Sequence, residues 1–323
     1  MLIALLVSIT AAVLPTILYV LLFYWADRYE REPVWLVTVA FIWGAVPAVL
    51  VSLFGEVVLG WPWLDAPGSI TGAIIEGAVI APVVEELAKG FALLLIFLLM
   101  YREFDGVLDG IVYGALIGFG FAMTENFFYF IGAYDEGGFR QLSVVIFLRA
   151  VLFGLNHAFY TGLIGIGFGF AQVFRSRGAK VGWIVFGLLA GMATHSLHNL
   201  GASLATVDVT GLGLSLTVAM AGIGLVVVAV ILSWRHERNC IRSELAEEVG
   251  TLLSVEEYTQ LTERWYNPLR KRGQRARNQA QRMHLYVELA LRKGRLRYAD
   301  PGEALNILHE VAQIRSQLAL SQE

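Results

Sequence analysis

Four short strings in an otherwise apolar chain hold residue types that can hydrolyse a bond. They are PVVEELAKG with Glu85, Glu86 and Lys89, and GFGFAMTENFFYF with Glu125 and Asn126. LRAVLFGLNHAFYTG follows with Arg149, Asn156 and His157, then ATHSLHN with His195, His198 and Asn199. Imidazoles and carboxylates are the ligands that suit Zn²⁺, and a catalytic zinc keeps three of them plus an open position for water. His157, either His195 or His198, and one of Glu85 and Glu125 meet that requirement. The second carboxylate of the Glu85–Glu86 pair is then a general base. Lys89 holds its partner carboxylate ionised and oriented, and Asn199 or Asn126 can donate to a developing oxyanion.

These groups need a scaffold, and the composition says which kind. Apolar residues make up 57% of the chain and charged residues only 16%, against roughly a quarter charged in soluble domains. The deficit is uneven. Nine of the 24 Lys and Arg precede Trp234, and the other fifteen follow it. A membrane body over residues 1–233 and a tail over residues 234–323 are therefore expected. A net charge of −3 gives no sign of a nucleic-acid partner. The single cysteine, Cys240, excludes an intrachain disulfide and a thiol nucleophile within the membrane.

A bilayer core of roughly 30 Å takes about twenty apolar helical residues. Stretches near 2–25, 34–59, 70–100, 106–133, 141–173, 181–204 and 211–233 qualify, predicting an all-α polytopic bundle of about seven spans. The first has no basic leader and reads as a transmembrane helix rather than a signal peptide. The third and fifth are longer than spanning requires, which predicts tilt or a broken segment. Basic residues collect in alternate connections (Arg28 and Arg31; Arg102; Arg175, Arg177 and Lys180) and in the tail. Positive charge favours the cytoplasmic side, so the N-terminus is expected outside and the tail inside.

Ionisable groups in a bilayer are expensive, by about 2.5–3.5 kcal/mol each on insertion scales, and usually mark function. Here they fall on four consecutive spans. Glu85 and Lys89 are four apart and share a helix face, as do His195 and Asn199, with His198 flanking them. Phe121, Glu125 and Tyr129 make a column on the fourth span. A Glu85–Lys89 pair alone reads equally well as a structural salt bridge, and a lone histidine as a packing residue. Three histidines, three glutamates and three asparagines on successive spans point to a site. Arg149 reads as an interfacial or pairing residue. Gly106, Gly110, Gly114 and Gly118 form a stripe for close helix packing, as do Gly187 and Gly191.

Other intramembrane protease signatures are absent from the sequence: no HExxH, no GxSG and no GxGD occurs, and Tyr134–Asp135 falls in a predicted loop. The order Glu85-Glu86-x-x-Lys89, Phe121-x-x-x-Glu125-Asn126-x-x-Tyr129, Arg149 with His157, and His195-x-x-x-Asn199 resembles the PrsW family of membrane proteases over roughly residues 70–200. That family is related to the CAAX prenyl endopeptidases and bacteriocin self-immunity proteins. The resemblance implies cleavage of membrane-anchored protein substrates, anti-sigma factors among them, in the cytoplasmic membrane. It implies Glu85, Glu86, Glu125 and His157 as active-site residues, with His195 next. Metal-dependent catalysis and a glutamate-activated water without metal both fit the motif.

The tail is expected to be a small cytoplasmic helical domain. Ser254-Val-Glu-Glu257 is a capping box, and Asp300-Pro301 starts a helix to about Leu320. The basic run Arg270-Lys-Arg-x-x-Arg275-x-Arg277 reads as a solvated face, an anionic-lipid contact or a docking site for a cytoplasmic partner. Two further readings of the chain compete with proteolysis: a proton- or cation-coupled transporter using the same buried groups, and a silent scaffold signalling through its tail.

Overall fold

The computed structural model describes residues 1–26, 29, 32–60, 70–100, 103, 104, 106–174, 176–262, 274–299 and 301–320. Arg28, Arg31, Arg102, Arg175, Asp300 and the first half of the basic run lie outside them. Twelve α-helices carry the described residues: α1 (Leu2–Ala26), α2 (Val34–Trp43), α3 (Val49–Gly60), α4 (Ile70–Ile75), α5 (Ala81–Leu99) and α6 (Val107–Ile146) come first. Then follow α7 (Asn156–Val173), α8 (Arg177–Leu204), α9 (Thr210–Leu245), α10 (Val255–Thr262), α11 (Gln274–Arg295) and α12 (Pro301–Leu320). No strand is present among the described residues, so the all-α expectation holds.

Five helical runs among the described residues are long and apolar enough to cross a membrane: Leu2–Ala26, Val34–Gly60, Val107–Val173, Arg177–Leu204 and Thr210–Glu248. The seven-span reading differs in two places, and both have a physical origin. It treats the 67-residue run Val107–Val173 as two crossings. That run reverses at Gly137 (φ −147°, ψ 18°) and Gly138 (φ 63°, ψ −155°), where the positive φ of Gly138 is one that glycine adopts without a Cβ penalty. It also counts α5, which is apolar along its length but carries three charged side chains, Glu85, Glu86 and Lys89. One expectation is corrected here: Tyr134 and Asp135 are helical, and the reversal is confined to the two glycines instead of a loop.

The expected breaks appear in the third and fifth segments as π-turns. Glu76–Ile80 joins α4 to α5, and Phe147–Leu152 precedes a short break before α7. A third π-turn, Gly44–Ala48, contains Pro47, which has no N–H to give the regular ladder. Such wide turns rotate the helix that follows, and they gather at functional sites.

Residues 1–27 and 32–229 form one compact unit with α6 at its centre. Every residue from Gly110 to Ala122 on α6 is buried, as expected of a helix covered on all sides. On α1 the buried residues are small and four apart, Ala4, Ser8, Ala12 and Thr16, while Leu2, Leu6, Leu14, Leu18 and Leu22 face outward. Apolar residues on the outside are the expected state of a lipid-facing surface.

The glycine stripe sets the central seam. A Cβ at Gly114 would lie 2.5 Å from the carbonyl oxygen of Thr161, and Gly110 and Gly118 meet the carbonyls of Gly165 and His157. Each glycine step of four on α6 matches a step of four on α7, running antiparallel. Gly187 and Gly191 repeat the device on α8, where a Cβ would meet Leu163 O at 2.8 Å and Tyr160 O at 2.7 Å. Gly106 is different: it caps α6, its N–H donating to Asp109 Oδ2 at 2.7 Å.

Val230–Glu323 belongs to a second compact unit. Its core joins Ile241 and Leu245 of α9, Met283, Tyr286, Val287 and Ala290 of α11, and Ile307, Val311, Ile314 and Leu318 of α12. The α12 spacing of four, three and four is one continuous helix stripe. The capping box forms at α10: the Glu257 N–H donates to Ser254 Oγ at 3.2 Å, and the Ser254 N–H to Glu257 Oε2 at 3.1 Å. Helix α12 starts on Pro301 and ends at Leu320, as the sequence predicts.

Candidate metal and catalytic centre

Helix α5 delivers three charged groups to one point. Lys89 Nζ donates to Glu85 Oε2 at 3.1 Å and to Glu86 Oε1 at 2.7 Å, spacings of four and three along the helix. It also lies 3.3 Å from His157 Nδ1 and 3.9 Å above the Phe121 ring. The Lys89 and Glu86 side chains are 0% exposed and Glu85 only 6%. Charges this deep persist only when compensated on several sides. Glu86 is compensated most fully, since Oε1 also pairs with His195 Nδ1 at 3.0 Å and Oε2 accepts from Thr161 Oγ1 at 3.1 Å.

The two imidazoles are each backed by a carboxylate. His157 Nε2 lies 2.8 Å from Glu125 Oε2. An ionised carboxylate only accepts, so that nitrogen carries the proton and Nδ1 turns its lone pair inward. His195 is the mirror case: Nδ1–H donates to Glu86, leaving the Nε2 lone pair inward. Both inward nitrogens lie 4.0 Å from Glu85 Oε2. Carboxylate-backed imidazoles are the usual way a protein fixes the tautomer and plane of a metal-binding histidine.

Ring contacts complete the fixing. His157 and His195 meet edge to face at 5.1 Å. Tyr160 stacks on His195 at 4.5 Å and 14°, and presents an edge contact to His157 at 5.8 Å. Arg149, on the π-turn before α7, braces Glu125: Nη2 donates to Glu125 Oε2 at 2.5 Å and Nε to Asn126 Oδ1 at 2.8 Å. Its guanidinium lies 3.7 Å from the centre of the Tyr129 ring. Of the two readings for Arg149, pairing is the one realised.

The residues singled out by sequence thus fall into three groups. Glu85, Glu86, Lys89, His157 and His195 meet directly. Glu125 joins through His157, and Asn126 through Arg149. His198 and Asn199 stand apart: His198 Nδ1 pairs with Asn156 Nδ2 at 3.1 Å, and Asn199 Nδ2 donates to the Gly77 carbonyl at 2.8 Å. Tyr160 and Thr161 are the residues that sequence reasoning missed. Neither ionises near neutral pH, so a search for buried charge passes over them. Their spacing of three and four from His157 is the signal that places them on its face.

The donor set fits a metal ion. One ligand atom from each of Glu85, Glu86, His157 and His195 lies within 4.8 Å of the others. Two neutral imidazoles and two carboxylates are the chemistry of a divalent transition metal. Three of the four residues, Glu85, Glu86 and His157, already face a cation, the Lys89 ammonium, so this part of the cluster is arranged for positive charge. Among the described residues no other group of three or more such side chains converges in this way.

Comparison with known proteins agrees with this geometry. Protease PrsW of Bacillus subtilis (strain 168) is 31% identical over 191 residues, 59% of this chain and 80% of its own length. Protease PrsW of Geobacillus kaustophilus (strain HTA426) is 32% identical over 164 residues, 51% of this chain and 66% of that protein. Protease PrsW of Halalkalibacterium halodurans is 28% identical over 191 residues, covering 59% and 81%. No solved structure matches. The model of the PrsW family intramembrane metalloproteases matches residues 32–236, a stretch that contains every group of the buried cluster, and the chain belongs to that family.

Proposed function

We propose that this intramembrane metalloprotease holds zinc with His157 Nδ1, His195 Nε2 and Glu85, and cleaves membrane-anchored proteins. The convergence of the two inward ring nitrogens on Glu85 Oε2, each 4.0 Å away, carries the proposal. When bound, the ion supplies Lewis acidity and lowers the pKa of a coordinated water.

The chain's own groups do the rest. Glu85 would face the ion through Oε2 and take the water proton on Oε1, which has no hydrogen bond among the described residues, whereas both Glu86 oxygens are committed. Glu86 holds the plane of His195 and keeps Lys89 in place once Glu85 and His157 are engaged. Glu125 fixes the tautomer of His157, and Arg149 and Asn126 hold Glu125. The Asn126 amide, whose oxygen is held by Arg149, and the second N–H of Asn199 are side-chain donors that can supplement oxyanion stabilisation. His198 supports the α8 edge through Asn156 instead of ligating. Catalysis belongs to residues 1–233; residues 234–323 form a cytoplasmic tail that meets anionic lipid or a partner. The N-terminus lies outside, as the basic connections indicate. Nothing favours a transporter.

Metal analysis of purified wild-type and H157A protein tests the ligand set, together with cleavage of a single-span substrate with and without chelator. Near-stoichiometric zinc lost in H157A, with chelator-sensitive cleavage, is the expected result. Full cleavage by both E85Q and H157A sinks the assignment.

A further inference from the structure

Among the buried polar groups of the site, the Tyr160 hydroxyl stands out. It has no hydrogen-bond partner among the described residues, although the residue is 0% exposed. A buried phenol without a partner is unfavourable, and such groups in native proteins call for a reason. The ring is held on three sides: stacked on His195 at 4.5 Å, edge-on to His157 at 5.8 Å and 6.2 Å from His198. Tyr160 follows Asn156 by four residues on α7, and helical side chains lean toward the N-terminus. The hydroxyl accordingly leans toward the Asn156 side of the helix, and it meets no acceptor among the described residues. Glu86 is the deep end of the cluster. Arg149 and Glu125, with side chains 25% and 20% exposed, are its open end.

Asn156 already pairs with His198, so the phenolic O–H is a donor with nothing to donate to, on the wall shared by both imidazoles. We propose that Tyr160 is a catalytic residue whose hydroxyl donates a hydrogen bond to the scissile carbonyl oxygen as it becomes an oxyanion. The inference rests on the hydrolytic reading above. Water oxygen adds to the carbonyl carbon, the C=O π pair moves to the carbonyl oxygen, and the water proton passes to Glu85. Tyr160 keeps its proton and shares it with the oxyanion. When the C–N bond breaks, the electron pair returns to re-form C=O and the proton goes to the leaving amine. An O–H fixed by ring stacking needs no reorganisation as charge develops, which is where such donors act most strongly.

The test is Y160F in the full-length protein, reconstituted in bilayers, with a fluorogenic single-span peptide chosen because wild type cleaves it. Phenylalanine keeps both ring contacts and removes only the hydroxyl. The expected result is a kcat about 10²–10³-fold lower, with KM changed by less than about threefold. Metal content should be unchanged and thermal stability equal to or above wild type. A phosphonate analogue of the same peptide should lose affinity by a factor similar to kcat, while uncleaved peptide should not. Unchanged kcat overturns the inference. So does a Y160F protein that is less stable, because the hydroxyl then makes a structural bond. Wild-type cleavage that survives E85Q would instead remove the hydrolytic reading itself.

Discussion

Among the described residues, carboxylates and cations cluster in the membrane segments and again in the tail, and the difference between these two clusters shows what separates a site from a staple. In the tail, Lys293 pairs with Glu244 at 4.0 Å, Glu247 at 3.0 Å and Glu248 at 3.1 Å, while Arg315 reaches Glu248 at 2.5 Å and Arg297 pairs with Glu244. There the outer partners are wet: the Glu247, Arg297 and Arg315 side chains are 75%, 62% and 46% exposed. Every charge meets its opposite, and the cluster ties α9 and its short 3₁₀ extension to α11 and α12. In the membrane cluster the exposure falls to between 0% and 25%. More tellingly, that cluster keeps acceptors without a hydrogen bond among the described residues, His195 Nε2 and Glu85 Oε1, while His157 Nδ1 faces the Lys89 ammonium. A staple uses all its bonding capacity, whereas a site retains some for what it binds.

That contrast can be broken from either side. The largest effect belongs to E85Q and H157A, each expected to lower cleavage at least ~10³-fold, or about 4 kcal/mol of transition-state stabilisation, in protein that still folds. Next comes the seam. G118V or G114V forces a side chain into the carbonyl of His157 or Thr161, and a loss of about 1–3 kcal/mol is expected from overpacking, read as lower thermal stability together with lost cleavage. E125Q removes the charge behind His157 and should weaken metal binding about 10–100-fold, measured by competition with a chromophoric chelator.

The tail cluster should respond more gently and independently. R315A is expected to cost no more than about 1 kcal/mol, because the arginine is largely solvated, and to leave cleavage unchanged. Acid sharpens the same point. Burial pushes the Glu248 carboxyl up, but hydrogen bonds from Arg315 and Lys293 outweigh it and hold the group below its ordinary 4.5. The unfolded chain therefore binds this proton more readily, and stability rises with pH. The contribution is complete above the ordinary carboxylate range and is lost as pH falls through the lower folded value. Hydrogen exchange of α12 in the full-length chain should accelerate over that window, and R315A should blunt the change.

Much of this arrangement was legible in the sequence. The spans follow from apolar length, and the breaks in the third and fifth segments from their excess. Glu85 and Lys89 share a face by spacing alone. The choice between His195 and His198 was not legible, because three residues on a helix separate them by only a fraction of a turn. Tertiary register determines which of them meets the Glu86 carboxylate: Gly191 seats α8 on the Tyr160 carbonyl, and His195, one turn later, lies against the Tyr160 ring. The commitment of Asn199 to the Gly77 carbonyl escaped for a related reason, since a π-turn changes which backbone group faces a neighbour. Tyr134 and Asp135 looked like loop residues by polarity, yet two adjacent glycines were enough to reverse the chain.

The paired glycine steps on α6 and α7 have a consequence for assembly errors. Sliding one helix along the other by less than a full step drives side chains into backbone carbonyls, so intermediate alignments are closed. The next open alignment lies four residues away, about 6 Å along the axis. That displacement carries His157 well out of reach of Glu85 and Glu125. The seam thus works like a ratchet with coarse teeth: the centre is assembled or it is absent, and a slightly misaligned, sluggish enzyme is not among the states this helix pair can populate.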